Sequence, residues 1–218
     1  MKTKNILLAF FTCAFFLGIS SLNAQTKIYI HKTDGTSDEY NIADVDSISF
    51  NPPANQVDYS KLKINEVNGV GDDSEKFYEL INTGTEDISL AGCQLTYNAN
   101  SSTGGAFPPT GNQGVTWTGN SNQVIKAGEL FTLLGRNTAG SFTTGLTAAR
   151  ILIITLKDPS GNVLDQCVRA KDTDDYAITD KSFSRIPDGT GPFYFTTPTP
   201  DMPNGTDADG LTELPVTP

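Results

Sequence analysis

The sequence predicts an all-β chain whose main part is a two-sheet sandwich. Short runs of alternating or branched apolar residues recur from Leu62 onward. Gly, Pro, Asn and Asp separate them at close intervals, and no helical period is sustained except weakly at 144–150. Many short strands with frequent turn signals bury their apolar faces as two packed sheets. The strands expected are 62–67, 77–82, 93–97, 115–118, 130–134, 151–157, 163–169 and 193–196. They place the sandwich at residues 61–204. The polar, acidic stretch 205–218 reads as a disordered tail.

Three segments precede the sandwich. Residues 1–24 read as a signal peptide: Lys2 and Lys4 open it, an apolar stretch follows from Ile6 to Ile19, and small residues end at Ala24. The apolar stretch is short for a spanning helix, which needs about 20 residues. Cys13 follows Phe10-Phe11-Thr12 inside that stretch, whereas a lipid-attachment cysteine belongs after small residues at its end. Export to the extracellular space, cell surface or periplasm is therefore expected, with no transmembrane segment in the mature chain. Residues 25–50 read as a small β-hairpin, with Lys27-Ile28-Tyr29-Ile30-His31 alternating, Asp34-Gly35 turning and Glu39-Tyr40-Asn41-Ile42 returning. A hairpin this small buries too little to be stable alone. The prolines of Asn51-Pro52-Pro53-Ala54-Asn55 mark residues 51–60 as a linker.

Charge and cysteines narrow the function classes. Without Lys2 and Lys4 the chain keeps 13 basic residues against 25 acidic ones, a net charge of about −12. An acidic surface with no basic cluster repels phosphate backbones, so nucleic acid is excluded as a general partner. Two cysteines remain, Cys93 and Cys167, both in strand-like runs of the sandwich. In an oxidising compartment they can form a disulfide; the alternative is two small buried apolar side chains.

Several pieces, in order, resemble one family. They are Ile64-Asn65-Glu66-Val67, then Phe77-Tyr78-Glu79-Leu80-Ile81-Asn82-Thr83-Gly84, then Ile88-Ser89-Leu90-Ala91-Gly92-Cys93-Gln94-Leu95. Ile125-Lys126-Ala127-Gly128-Glu129 and Asp158-Pro159-Ser160-Gly161-Asn162-Val163-Leu164-Asp165 follow. Ser184-Arg185-Ile186-Pro187-Asp188-Gly189-Thr190-Gly191, Thr199-Pro200 and Pro203-Asn204 complete the set. Together they resemble the lamin tail domain of bacterial exported proteins, from about Leu62 to Asn204. The resemblance implies an immunoglobulin-like β-sandwich serving as a binding or scaffolding module, with no known reaction. Its structural motif falls on Asn65, Glu66, Glu79, Asn82, Gly92, Gly128, Asp165, Arg185, Pro187, Asp188 and Gly189. The family's usual tryptophan is replaced by Cys93, a departure that favours pairing with Cys167. The stretch from Asn98 to Asn122 is longer than a minimal loop.

The residues themselves offer little chemistry. The one histidine, His31, lies outside the sandwich, so Ser-His-Asp and Cys-His sets lack their base. No His/Cys cluster has zinc spacing and no glycine-rich phosphate loop is present. Glu66 shares strand parity with Leu62 and Ile64, and Glu79 with Phe77 and Ile81, so period-2 geometry puts both carboxylates on apolar faces. Such carboxylates suit acid catalysis; the structural reading has them bonded to backbone N–H groups or Arg185. That reading is preferred, and no catalytic residue is expected. Calcium is the one cofactor left open, with Asp72, Asp73, Asp172 and Asp174 as oxygen ligands in loops that match no full signature. Trp117, the single tryptophan, is a candidate ligand contact; alternatively it shares a buried strand face with Val115. The expected function is a non-catalytic interaction module binding a protein or glycan through its loops. A structural component of an envelope assembly comes second, and a hydrolase using paired carboxylates third.

Overall fold

The computed structural model describes residues 26–46, 57–100, 104–111, 113–135, 141–142, 145–172 and 180–217. The expected signal peptide, Ile48, Phe50 and residues 51–56 of the linker lie outside the described residues. The chain divides into two compact units, residues 1–55 and 56–218.

In the first unit, β1 (Lys27–His31) pairs antiparallel with β2 (Ser37–Asn41). Gly35 takes φ +86° in the turn, and Asp34 accepts bonds from Thr36 N at 2.9 Å and Thr36 Oγ1 at 2.7 Å. Alternation separates the two faces. Lys27 pairs diagonally with Glu39, the register partner of Tyr29, on the face that also carries His31 and Ser37, while Ile28, Ile30 and Tyr40 occupy the other side.

The second unit is a sandwich of antiparallel sheets. Its strands are β3 (Leu62–Asn68), β4 (Phe77–Asn82), β5 (Ile88–Ser89), β6 (Gln94–Ala99), β7 (Gln113–Thr118) and β8 (Val124–Ile125). They continue as β9 (Leu130–Leu134), β10 (Leu152–Lys157), β11 (Val163–Arg169), β12 (Ser182–Arg185) and β13 (Phe193–Thr196). One sheet has the order β13-β12-β3-β4-β9 and the other β11-β10-β6-β7, with β5 and β8 forming a small pair. Tyr78 and Leu80 face Leu95, Tyr97, Ile154 and Leu156 in the shared core. All eight expected strands form, within a residue or two of their expected ends. The described part of 144–150 is turn rather than helix.

Bulges re-aim the side chains that matter. In β3 the register with β4 shifts between Ile64 and Glu66, which makes Asn65 the extra residue. Leu62 and Ile64 point into the core, but after the bulge Val67 takes that face and Glu66 turns outward. A second shift, between Leu95 and Thr96, leaves Thr116 extra in β7. It buries Trp117, 4 % exposed, and leaves Val115 47 % exposed.

Both ends of the sandwich reach further than expected. Val57 and Tyr59 pack against the core, so the described end of the 51–60 linker belongs to the sandwich. Residues 205–217, expected to form a disordered tail, run beside β13 and β11. Phe195 N donates to Thr212 O at 2.9 Å, Leu214 N to Phe193 O at 2.7 Å and Ala170 N to Pro215 O at 2.6 Å. Leu214 is buried, which outweighs the polar composition around it.

Candidate functional site

The charged residues flagged in β3 and β4 meet on the outer face of the five-stranded sheet. Glu66 and Glu79 are direct partners in the β3–β4 register, with Ser184 of β12 beyond Glu66 and Thr132 of β9 beyond Glu79. Glu79 does share its face with Phe77 and Ile81, but that face is the outer one; the core side carries Tyr78 and Leu80. Both glutamates are nevertheless 0 % exposed. The cover is a strap formed by residues 198–204.

The strap is tied directly to the carboxylates. Thr199 N donates to Glu66 Oε1 at 3.1 Å and Thr199 Oγ1 to Glu66 Oε2 at 2.9 Å. Asp201 N donates to Glu79 Oε2 at 2.8 Å. Glu79 also accepts from Asn65 Nδ2 at 3.0 Å and Thr132 Oγ1 at 2.9 Å. The bulged Asn65 is the hub: its Nδ2 also donates to Asp188 Oδ1 at 2.9 Å, and its Oδ1 accepts from Gly189 N at 2.9 Å. Asn204 closes the strap, donating through Nδ2 to Asn65 O at 3.2 Å and Arg185 O at 3.1 Å. The turn that presents Asp188 needs glycine at 189, where φ is +65° and a Cβ would sit 2.5 Å from a Thr83 methyl.

Burial is the largest influence on both acids. It pushes Glu79 up to about 7, opposed by its three donors and reinforced by the neighbouring Glu66. Glu66 is also raised by burial, against donors from Ser182, Thr199 and Ser184. No ion pair reaches either glutamate among the described residues. Arg185, the expected partner, turns to the sandwich edge instead. Its Nη2 meets Asp165 Oδ1 at 2.7 Å, its Nε donates to Ile64 O at 2.9 Å and its Nη1 to Gly191 O at 2.6 Å. Asp165 Oδ2 accepts from Ile64 N at 2.9 Å, so this pair staples β11 to β3 and β12.

Other flagged residues stay apart. Asn82 shapes the turn after β4, with Nδ2 on Glu86 O at 2.7 Å and Oδ1 accepting from Gly84 N at 2.9 Å. Gly92 and Gly128 take positive φ in turns, and Pro187 opens the Asp188 turn. The expected disulfide is corrected: Cys93 and Cys167 are both free and buried. Cys167 pairs with Ile154, and Ile154 with Tyr97, so β10 lies between β11, which carries Cys167, and β6, which Cys93 immediately precedes. Two strand spacings and four residues along β6 put them about 16 Å apart, whereas a bridge needs at most about 7 Å between Cα atoms. Trp117 is likewise corrected as a ligand contact, because its ring lies in the core. Asp73 is engaged by Lys76 Nζ at 3.1 Å, Asp172 accepts from Gly104 N, and Asp174 lies outside the described residues. Among the described residues no three His, Cys, Asp or Glu side chains gather as a metal site.

Thr132 and Asn100 stand in no motif of the sequence, and Thr199 and Asn204 figure there only as the last pieces of the family resemblance. Asn100 organises the β6–β7 loop: its Nδ2 reaches Gly104 O at 3.3 Å and Ala106 O at 3.1 Å, and its Oδ1 accepts from Thr110 N at 3.3 Å. The only signal for it was the Gly/Asn/Ser/Thr richness of that stretch.

Two antiparallel sheets sealed by an edge staple define an immunoglobulin-like module. The lamin tail domain model matches residues 55–171, more than half of the chain, and the protein belongs to that family. The matched span ends before β12, although β12 pairs with β3 in the same sheet. No curated protein matches the chain.

Proposed function

We propose that this chain is an exported, non-catalytic interaction module that holds a protein partner through the β6–β7 loop at one end of the sandwich. The observation that carries it is the loop at 104–111. Its residues 104–106, 108 and 110 are exposed, yet Asn100 fixes the backbone from inside. An exposed loop already held in shape loses less entropy on binding. With Trp117 in the core, no tryptophan face is left for sugar stacking, which favours a protein over a glycan. The paired carboxylates, the best material for a hydrolase, spend their oxygens on the chain's own donors.

A second reading, a structural component of an envelope assembly, rests on the hairpin. Tyr29, Ile30, Tyr40 and Ile42 are exposed in a two-stranded unit too small to bury them. The test is photo-cross-linking on producing cells with a probe at Thr110, alongside a probe at Tyr40 and a glycan array. A single protein adduct from Thr110, weakened by Asn100→Ala without unfolding, supports the module. An adduct only from Tyr40 favours the assembly role. Turnover of a substrate, lost in a folded Glu79→Gln variant, overturns both.

A further inference from the structure

We propose that the 198–204 strap is a proton-controlled clamp: it closes over the outer sheet face while the Glu66–Glu79 pair holds a proton, and loosens when both carboxylates ionise. The geometry comes first. Two glutamates stand directly opposite on neighbouring strands, where like charges repel, and both lie under cover. Three of the donors that reach them, Thr199 N, Thr199 Oγ1 and Asp201 N, belong to the strap itself. The strap's hold on the sheet therefore passes through the groups whose charge varies.

Among the described residues no cation pairs with either carboxylate. Facing the pair are Asp188 from its turn and Asp201 from the strap, with Glu129 lining the groove beside them. On β12, Arg185 is committed to Asp165 and two carbonyls, and Lys63 of β3 reaches Leu164 O. Thr132, on β9, is neutral.

Two further features make the strap ready to lift. Asp201 sits at φ +60°, a left-handed conformation that side chains rarely adopt, at the residue whose N–H meets Glu79. Open grooves of about 330 Å³ and 520 Å³ flank the strap, so water is at hand on both sides. Once lifted, the carboxylates are hydrated and return toward ordinary acidity. The closed state thus binds a proton more tightly than the open one, and rising pH favours opening. Burial pushing Glu79 up to about 7 sets the window near neutrality. Local opening should then grow on the order of tenfold between pH 5.5 and 8.5.

The test is amide hydrogen exchange on the full chain at pH 5.5, 7.0 and 8.5, corrected for intrinsic rates. The Thr199 and Asp201 amides are compared with those of β10. The expected result is about tenfold weaker strap protection at pH 8.5, steady β10 protection, and a much shallower strap profile in Glu79→Gln, where only Glu66, also raised by burial, still titrates. Glu66→Gln, which removes the repulsion but leaves Glu79, should show a smaller dependence. Should neither variant fold, the wild-type profile decides. Strap protection that is flat with pH, falls in step with β10, or falls as steeply in Glu79→Gln as in the wild type overturns the proposal.

Discussion

Replacing Arg185 with methionine removes the staple between the two sheets while keeping an unbranched apolar stem. In the native chain the guanidinium lies 4.2 Å over the Phe193 ring and satisfies Asp165, Ile64 O and Gly191 O together. The side chains of Arg185 and Asp165 are only 14 % and 12 % exposed, so water replaces little of what is lost. Asp165 would keep its bond from Ile64 N but hold an uncompensated charge beside two orphaned carbonyls. Breaking a buried pair from one side costs about 3–5 kcal/mol. With a urea slope of about 1–3 kcal/mol per molar, the unfolding midpoint should fall by about 2 M at unchanged slope. Asp165→Asn should cost less. A double-mutant cycle should give a coupling above about 1.5 kcal/mol, since the two residues act as one unit. A loss below about 1 kcal/mol in Arg185→Met would refute the staple.

Three further outcomes follow from the geometry. Cys93 and Cys167 should resist alkylation in the native protein and label without any reductant once it is unfolded, because burial pushes Cys93 up to about 12 and Cys167 higher still; a linked Cys93–Cys167 peptide in a non-reduced digest contradicts this. Trp117 should emit at short wavelength, resist acrylamide quenching, and cost about 3–5 kcal/mol when replaced by alanine; ready quenching in the folded state would count against its burial. Stability should decline as pH rises from 5.5 to 8. Glu79 is raised from 4.5 to about 7 in the fold, so its stabilisation is complete below the lower value and lost through the higher one. The expected change is about 1–3 kcal/mol in urea unfolding, and a midpoint that climbs across this range is the opposite result.

The strands were legible wherever short runs rich in apolar and branched residues stand between turn signals, as in β4, β10 and β11. β12 was missed because Ser182-Phe183-Ser184-Arg185 carries a single apolar residue, and its two serines are buried by pairing rather than by hydrophobicity. β5 and β8 are too short to show a period. The carboxylate pair was half legible. Strand parity placed Glu79 with Phe77 and Ile81, but no pattern announced the bulge at Asn65 that turns Glu66 to the same outer face. Nor did the sequence show that a strap more than a hundred residues away would bury both. Contacts of that separation are set by topology, which period and composition do not encode. The cysteine pairing failed for the same reason: Cys167 in β11 and Cys93, just before β6, are kept apart by β10.

The central claim is that the acidic pair holds the fold and is not a reaction centre, and Glu79→Gln unfolding in urea at pH 5.5 tests it most directly. Protonated Glu79 can accept from Asn65 and still donate to Thr132. The amide cannot match this. With its nitrogen toward Asn65 Nδ2 or toward Asp201 N, one buried donor always faces another. Asn65 cannot flip to help, because its Oδ1 holds Gly189 N. The predicted result is a loss of about 1–3 kcal/mol. A soluble Glu79→Gln protein as stable as the wild type at that pH would contradict the account.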